Sequence, residues 1–318
     1  MHEIREVPSD HPDFTALQSD AVWDYQQCLV AYCHSQPQAC LTYHLDQHLA
    51  GTSEPTGVVG HYEAESSEAG RAVLRDALVR LTSLGAKSVL GPINGNIWSR
   101  FRFAQPGHQS PFFLEPTNPE NYIQDFLSVG FTEDTVYQSR IIEKLQQVKE
   151  PSVIPPDNLR ERYFDLSQAE SELRKLYEVS TQSFSDHLYH RPISCQAFLA
   201  MHLPLLEKLD PELLPILEAP DGSIAAFLLA YPDFLTPSAG RLVAKTLGVL
   251  PTWRRMKLGT YLVARIHQIA VRKGFQSLIH ALFQVDNPSN SISAAQMALN
   301  GRLFRSYSLY RWEKPDVA

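Results

Sequence analysis

The stretch LGVLPTWRRMKLGT, residues 247–260, decides the fold of this chain. An apolar run typical of a β-strand ends at Pro251, and a short loop with three cations follows it. From Tyr261 to Val271 the apolar residues recur at helical spacing, which predicts a helix. The first turn of a helix has free N–H donors and the positive end of the helix dipole. The order strand, basic loop, helix therefore predicts a binding site for phosphate groups.

The same residues are also compatible with an ordinary strand-to-helix turn whose basic side chains are hydrated. The cations of the loop are Arg254, Arg255 and Lys257, and Gly259 follows them. Arginine binds phosphate oxygens in a bidentate manner, and glycine lets a ligand approach the backbone closely. These properties favour phosphate binding over the ordinary turn.

The stretch resembles the acyl-CoA-binding segment of the GNAT superfamily of N-acetyltransferases. In that family a strand ending in Val-x-Pro is followed by Arg/Gln-x-x-Gly-x-Gly/Ala, which Val249 to Pro251 and Arg254 to Gly259 resemble. Lys257 stands where the family usually has its first glycine, and this makes the turn less permissive. Asn290 matches an asparagine with which the family contacts CoA. The resemblance implies contacts to acetyl-CoA from Gly248, Val249, Leu250, Arg254, Arg255, Met256, Lys257, Leu258, Gly259, Thr260 and Asn290.

An internal repeat relates the two halves of the chain. Each half shows the order strand, loop, helix, glycine, strand, short helix, strand. One offset of 189 residues relates three pairs of markers, namely Gly70 and Gly259, Gly85 and Gly274, and Ser88 and Ser277. An accidental match of three small residues is the alternative.

Together the repeat and the resemblance predict an α/β (α+β) fold of two tandem GNAT-like domains. Each domain is expected to be a mixed, mostly antiparallel sheet flanked by helices. The first domain is expected at 1–147 and the second at 161–318. A linker at 148–160 separates them, because it carries three prolines, which stiffen the chain and remove hydrogen-bond donors.

The repeat also indicates which half binds CoA. By the offset, Arg254, Arg255 and Lys257 correspond to Glu65, Ser66 and Glu68 of the first half. Carboxylates repel phosphate, whereas arginine and lysine attract it. We therefore expect CoA at the second half only.

The catalytic groups are poorly marked in the sequence. The resemblance implies that strands 242–250 and 277–283 splay apart and that an amine attacks the thioester directly, which requires a proton acceptor and a donor for the leaving thiolate. The family's strand carboxylate is absent from 242–246, and Met297 stands where the family often has a tyrosine. Tyr231 and His280 are the candidates for the catalytic roles, with Tyr307 and Tyr310 as further substitutes. A packed aromatic ring for Tyr231 and a satisfied core histidine for His280 are the alternatives.

The sequence leaves the roles of two other features open. Lys245 lies in an apolar strand, where it either anchors a substrate carboxylate or points out at an edge. Residues 91–116, which interleave arginines with aromatic residues, form either a wall of the acceptor site or an interdomain packing loop. Capping boxes are expected at Thr117 to Glu120 and at Ser167 to Glu170.

Composition limits the function classes. The 318 residues are 44% hydrophobic and 20% charged, with a net charge of -7, so non-specific nucleic-acid binding is not expected. No apolar run is long enough for a membrane span and no apolar leader follows Met1, so we expect a cytoplasmic protein. The spacing of Cys28, Cys33 and Cys40 fits no common zinc template, so free thiols and no metal site are expected.

The sequence thus favours an acyl-CoA-dependent N-acyltransferase, with acetyl-CoA as cosubstrate and a small-molecule or peptide amine as acceptor. A homodimer is compatible with it. A non-catalytic CoA-binding module is the first alternative, because the usual acid and base are absent. Aminoacyl transfer from tRNA is a second alternative, which the acidic net charge disfavours.

Overall fold

The computed structural model describes residues 2–18, 20–107, 109–147, 158–285 and 301–315. The first half contains β1 (Glu3–Val7), α1 (Pro12–Leu17), β2 (Gln27–Cys33), β3 (Gln36–Asp46), β4 (Thr56–Ala64), α2 (Ser67–Ser83), β5 (Ser88–Gly91), β6 (Phe103–Ala104), α3 (Asn121–Ser128) and β7 (Thr132–Ile142). The second half contains β8 (Arg160–Tyr163), α4 (Ala169–Phe184), α5 (Cys195–His202), β9 (Pro215–Glu218), β10 (Ile224–Pro232), β11 (Arg241–Val249), α6 (Leu258–Arg272), β12 (Ser277–Gln284) and β13 (Gly301–Glu313). Of the expected linker only 158–160 is described, and the short helix expected near Asn290 lies outside the described residues.

The described strands form a single mixed sheet in the order β1-β2-β3-β4-β5-β13-β7-β12-β11-β10-β9-β8, with β6 paired to β13. The pairs β4–β5 and β11–β12 are parallel, and the other pairs are antiparallel. The last strands of the two halves are exchanged, because β7 pairs with β12 and β13 pairs with β5. The prediction of a mixed, mostly antiparallel sheet flanked by helices is confirmed.

The predicted repeat is visible in the structure. Ser88 begins β5 and Ser277 begins β12. Strand β5 is parallel to β4 and antiparallel to the exchanged strand β13, and in the same way β12 is parallel to β11 and antiparallel to the exchanged strand β7. Thr56 pairs with Ser88 as Arg241 pairs with Ser277, so the two parallel pairs superimpose residue by residue. The two halves are therefore two copies of one topology.

Helices cover the sheet according to their apolar faces. Helices α2 and α3 pack on the strands of the first half. Helix α6 packs on one face of the second-half strands, and α4 and α5 pack on the opposite face. Within α6, Leu262, Ile266 and Ala270 are fully buried, as the helical spacing predicts. Each fully buried leucine or isoleucine stabilises the fold by about 1.5–3 kcal/mol, so this face fixes the helix that follows the basic loop.

The two expected capping boxes are wrong. Helix α3 begins at Asn121 without a side-chain cap, and Thr117, the expected cap, lies four residues before it. Before α4, Asp165 rather than Ser167 accepts the capping hydrogen bond, from the Ser167 N–H at 2.9 Å.

Among the described residues, no helix combines the length and the apolar character that crossing a membrane requires. All four cysteines are free thiols, with Cys28 and Cys40 buried.

Candidate active site

The parallel strands β11 and β12 separate half-way along their length. They pair from Arg241 with Ser277 to Ala244 with His280, and no further pairing follows. At the point of separation the Leu282 N–H donates to Ser139 Oγ on β7 at 3.1 Å, away from β11. The splay implied by the family resemblance is therefore present, and it opens a gap between the two strands.

A β-bulge on β11 presents Lys245 at this gap. Ala244 pairs with Ala230 of β10, and Thr246 pairs with Leu229, so Lys245 is the extra residue. Bulges redirect side chains and are common beside active sites. Lys245 makes no hydrogen bond or ion pair with any described residue, and it lines a cavity between the two halves.

That cavity has a volume of about 680 Å³ and lies between the two halves. Its wall from α4, α5 and the turn after them is apolar, and residues 97–102 and 114–116 of the first half close the other side. Tyr231 and His280 also line it. The expected wall at residues 91–116 thus contributes to the cavity, while Trp98 also packs against Phe184 and Phe198 of the second half.

The environment of Lys245 changes its protonation. Burial lowers the pKa of the amine from its usual range to about 7, and the nearby positive charge of Arg102 lowers it further, while Glu115 opposes the shift. An amine with this pKa is partly neutral at neutral pH, so Lys245 can accept a proton there.

The two candidate catalytic residues differ in their surroundings. The Tyr231 hydroxyl donates to no described residue, and burial raises its pKa to about 12, so it stays protonated and can donate. His280 is buried with its Nε2 3.1 Å from Nε2 of His267, and burial lowers its pKa to about 3. This makes His280 a weak proton acceptor at neutral pH. Tyr307, a further substitute, donates instead to the buried Glu115.

The basic loop between β11 and α6 presents free backbone donors. None of the N–H groups of residues 255–260 has a hydrogen-bond acceptor among the described residues. Helix α6 starts at Leu258, and Lys257 before it provides no side-chain cap. Consecutive free N–H groups at a helix N-terminus suit phosphate oxygens, so the loop fits the pyrophosphate of CoA.

The loop cations are not equivalent. Arg254 Nη1 pairs with Asp186 at 3.0 Å and its Nη2 donates to the Ser183 carbonyl at 3.1 Å, so it ties the loop to α4. Arg255 and Lys257 are exposed and pair with no described residue. Lys257 has φ 58° and ψ 20°, the left-handed conformation that glycine would adopt without strain.

The remaining predicted contact residues occupy ordered positions. Gly248 and Val249 pair with β10 on one edge of β11, and a Cβ at Gly248 would collide with the Phe227 ring. The Leu250 N–H donates to the Ala225 carbonyl at 3.0 Å, and Met256 is exposed on the loop. Gly259 and Thr260 lie in the first turn of α6. Asn290 lies outside the described residues.

The corresponding gap in the first half is closed. The Ile93 N–H donates to the Val59 carbonyl at 2.8 Å, and the Asn94 side chain accepts from the His61 N–H at 2.7 Å. Gly60 occupies the position of Lys245, and a Cβ there would overlap the carbonyl of Ile93. The first half therefore offers no space for a ligand between its parallel strands.

Comparisons with known proteins agree with this geometry. Residues 172–295 match the model of the Acetyltransferase (GNAT) family. No curated protein matches the chain. A GCN5-related N-acetyltransferase from Sphaerobacter thermophilus is 14% identical, with 99% of this chain and 97% of that chain covered and a TM-score of 0.52. A tandem GNAT protein from the clavulanic acid biosynthesis pathway is 10% identical over the whole of both chains, with a TM-score of 0.53. A protein of unknown function from Enterococcus faecalis, described as a probable N-acyltransferase, is 9% identical, with 98% and 72% covered and a TM-score of 0.60.

Residues 172–295 of the second half thus match the model of the Acetyltransferase (GNAT) family, and the whole chain shares the fold of a tandem GNAT protein. The predicted resemblance is confirmed. At these identities the structural neighbours establish the fold and not a substrate.

The sequence marks two residues of the cavity only weakly. Lys245 is an unusual cation in an apolar strand, and its exposure to a cavity depends on the bulge and on the splay. Arg102 comes from the other half of the chain, and its only sequence signal is its position between Phe101 and Phe103.

Proposed function

We propose that the protein is an acyl-CoA-dependent N-acyltransferase that transfers the acetyl group of acetyl-CoA to an amine. The observation that carries this proposal is that three features occur side by side in the second half. These are a phosphate-binding loop at 254–260, an open splay beyond Ala244, and a cavity that contains an unpaired lysine. The acceptor would bind in the cavity between the halves.

The loop residues are proposed to bind the CoA moiety. The free N–H groups of residues 255–260 would donate to the pyrophosphate, and Arg255 and Lys257 would neutralise its charge. The pantetheine chain would lie between the splayed strands, beside Gly248, Val249 and Leu250. Beyond Ala244 the edge of β11 that faces β12 pairs with no described strand, so its backbone groups are free for the ligand. Arg254 would act mainly by fixing the loop against α4.

We assign the proton acceptor to Lys245 and the proton donor to Tyr231. Acetyl-CoA supplies an acyl group activated as a thioester. The neutral Lys245 amine would accept a proton from the ammonium of the acceptor, and the nitrogen could then form its bond to the acyl carbon as the carbon–sulfur bond breaks. Tyr231 would donate a proton to the departing thiolate. Over the whole reaction the ammonium loses two protons, of which one ends on the thiol of CoA and the other passes to solvent.

The test combines binding and turnover. Calorimetry should show saturable binding of acetyl-CoA to the wild type, and a panel of amines should reveal acceptors through release of free thiol. Lys245→Met should lower kcat by about 10²–10³-fold, within the usual range for general acid–base catalysis, and should leave the Kd of acetyl-CoA unchanged. Tyr231→Phe should lower kcat as well.

The outcomes separate the proposal from its alternative. Binding of acetyl-CoA without turnover on any amine would favour a non-catalytic CoA-binding module. Full turnover by Lys245→Met would remove that residue from the mechanism. No binding to the wild type would refute the assignment of the cosubstrate.

A further inference from the structure

The cavity between the halves contains a buried arginine that no carboxylate of the described residues neutralises. Arg102 is 8% exposed and lines the cavity. Its guanidinium lies over the Phe101 and Tyr137 rings, at 3.9 and 4.3 Å from their centroids. Among the described residues, the Arg102 side chain donates one hydrogen bond, from Nη1 to the Leu282 carbonyl at 3.3 Å. Nε is buried without a partner among the described residues.

The nearest acidic group in the cavity is already satisfied. Glu115 is paired with Arg305, whose Nε lies 3.0 Å from Oε1. It also accepts hydrogen bonds from the Phe112 N–H at 3.0 Å and from the Tyr307 hydroxyl. Its charge is therefore used within the fold and leaves Arg102 uncompensated.

The charges that face the cavity are predominantly positive. Besides Arg102 they include Lys245 and Arg100, of which Arg100 is 3.6 Å from Asp20. Burial holds the pKa of the cavity histidines His187 and His202 below the usual range, so both are neutral at neutral pH. A positive cavity in a protein of net charge -7 is a local feature that favours an anionic ligand.

We infer that the acceptor of this enzyme is an amine that carries a carboxylate, which Arg102 binds, and an apolar body, which the α4–α5 wall contacts. This inference rests on the proposed function and names the substrate class of the same site. Burying a cation without a counter-ion is unfavourable, and a substrate carboxylate removes that penalty while it accepts the free guanidinium donors. Arg102 and Lys245 line the same cavity, so a carboxylate bound by Arg102 would share that cavity with the reacting nitrogen.

The apolar wall defines the rest of the acceptor. Leu173 and Leu176 of α4, Phe198 of α5, and Leu205 and Leu206 of the following turn line the cavity opposite the cations. Their surface suits an aliphatic or aromatic side chain. An apolar α-amino acid carries both a carboxylate and such a side chain.

The experiment compares acceptors that differ only in the carboxylate. Phenylalanine and phenylalaninamide, and leucine and leucinamide, are assayed for kcat/KM with the wild type, Arg102→Met, Arg102→Lys and Arg191→Met. Arg191 is the matched control, because it also lies over an aromatic ring, Tyr25 at 3.8 Å, but is paired with Asp46 and does not line the cavity.

The wild type should prefer the carboxylates by about 10- to 100-fold, which is the range of a charge-assisted hydrogen bond. Arg102→Met should bring that ratio close to one, Arg102→Lys should give an intermediate ratio, and Arg191→Met should keep the wild-type ratio. Equal kcat/KM for both members of each pair with the wild type would overturn the inference and leave the proposed function intact. A carboxylate preference that survives in Arg102→Met would overturn it as well.

A binding measurement covers the case in which catalysis or folding fails. N-acetylphenylalanine and its amide are titrated into the wild type and into whichever Arg102 variant retains the wild-type circular dichroism. A preference for the carboxylate that depends on Arg102 would support the anion site. It would do so even if acetyl-CoA is neither bound nor consumed, because failure with acetyl-CoA would remove only the proposed function. Absence of any carboxylate preference in binding overturns the inference.

Discussion

The strand-to-helix junctions of the two halves begin from the same topology and differ in what they leave open. Between β4 and α2 only two residues connect strand and helix, and Ser66 caps the helix by accepting from the Ala69 N–H. Between β11 and α6 the connection has eight residues, without a side-chain cap. The cap satisfies one backbone donor of the short junction, whereas none of the N–H groups of residues 255–260 in the long junction has an acceptor among the described residues.

The neighbouring gaps between the parallel strands differ in the same way. Ile93 bonds back to Val59 and closes the gap of the first half, whereas its counterpart Leu282 bonds to Ser139 and leaves the second gap open. The two differences occur together, which is expected if the first copy has become a wall and the second has kept the ligand site. One copy of the fold can thus supply shape while the other supplies chemistry.

Charge reversal should show the largest contrast between the two junctions. The double variant Arg255→Glu, Lys257→Glu should weaken acetyl-CoA binding by about 3–4 kcal/mol, a few hundred-fold or more, because two charge-assisted contacts are lost. The matched double variant Glu65→Lys, Glu68→Lys should leave the Kd unchanged in calorimetry. Equal losses in both variants would show that the assignment of CoA to the second half is wrong.

The two equivalent strand positions should respond oppositely to substitution. Gly60→Ala should lower the free energy of unfolding by about 3 kcal/mol or more, because the new methyl overlaps a backbone carbonyl that cannot move freely. Lys245→Ala should raise it, because a half-buried, unpaired amine is removed. Denaturant titration of both variants measures this, and a tolerated Gly60→Ala would contradict the closed gap.

The dependence of kcat on pH should show whether Lys245, the second-half counterpart of Gly60, accepts the proton. Lys245 must be neutral to accept a proton, and its pKa is lowered to about 7, so kcat should rise about tenfold per pH unit below 7 and level off above it. Single-turnover rates with saturating amine between pH 5.5 and 9 provide the measurement. In Lys245→Met the same profile should lose this inflection, and its persistence would assign the titration to another group.

The smallest expected effect concerns the loop conformation. Lys257→Gly should raise the free energy of unfolding by about 0.5–1 kcal/mol, because a left-handed conformation costs a side-chain-bearing residue about 1–2 kcal/mol and glycine returns part of that as chain entropy. Met256→Gly, a control on the same exposed loop without positive φ, should lower it. Thermal unfolding of both variants decides between these signs, and stabilisation by both would show that strain at Lys257 is not the cause.

Much of the fold was predictable because its signals are local. The apolar spacing of α2 and α6, the positive-φ glycines at Gly85 and Gly274, and the runs that form β3, β4, β10 and β11 depend on neighbours in the chain. The repeat offset then placed the two copies on one topology. The capping box before α3 failed because the helix begins at Asn121, four residues after Thr117, and the one before α4 failed because Asp165 already caps the turn that contains Ser167.

The candidate site was only partly predictable. The loop at 254–260 is contiguous, so its residue types and spacing predict a site for phosphate groups, and this stays a prediction. His280 was a plausible base by type, but its contact with His267 and its burial appear only in the packed protein. The splay beside the cavity includes a hydrogen bond from Leu282 to the distant Ser139, which no sequence pattern specifies.

By itself the sequence determined the two copies, the order of their elements and the location of the basic loop, because these follow from periodicity and from residue types close in the chain. The tertiary structure decided that β7 and β13 are exchanged, that a bulge places Lys245 at a cavity, and that Arg102 of one half lines the same cavity as Lys245 of the other. These features are pairings between distant residues, and their energies depend on which groups the folded chain removes from water together.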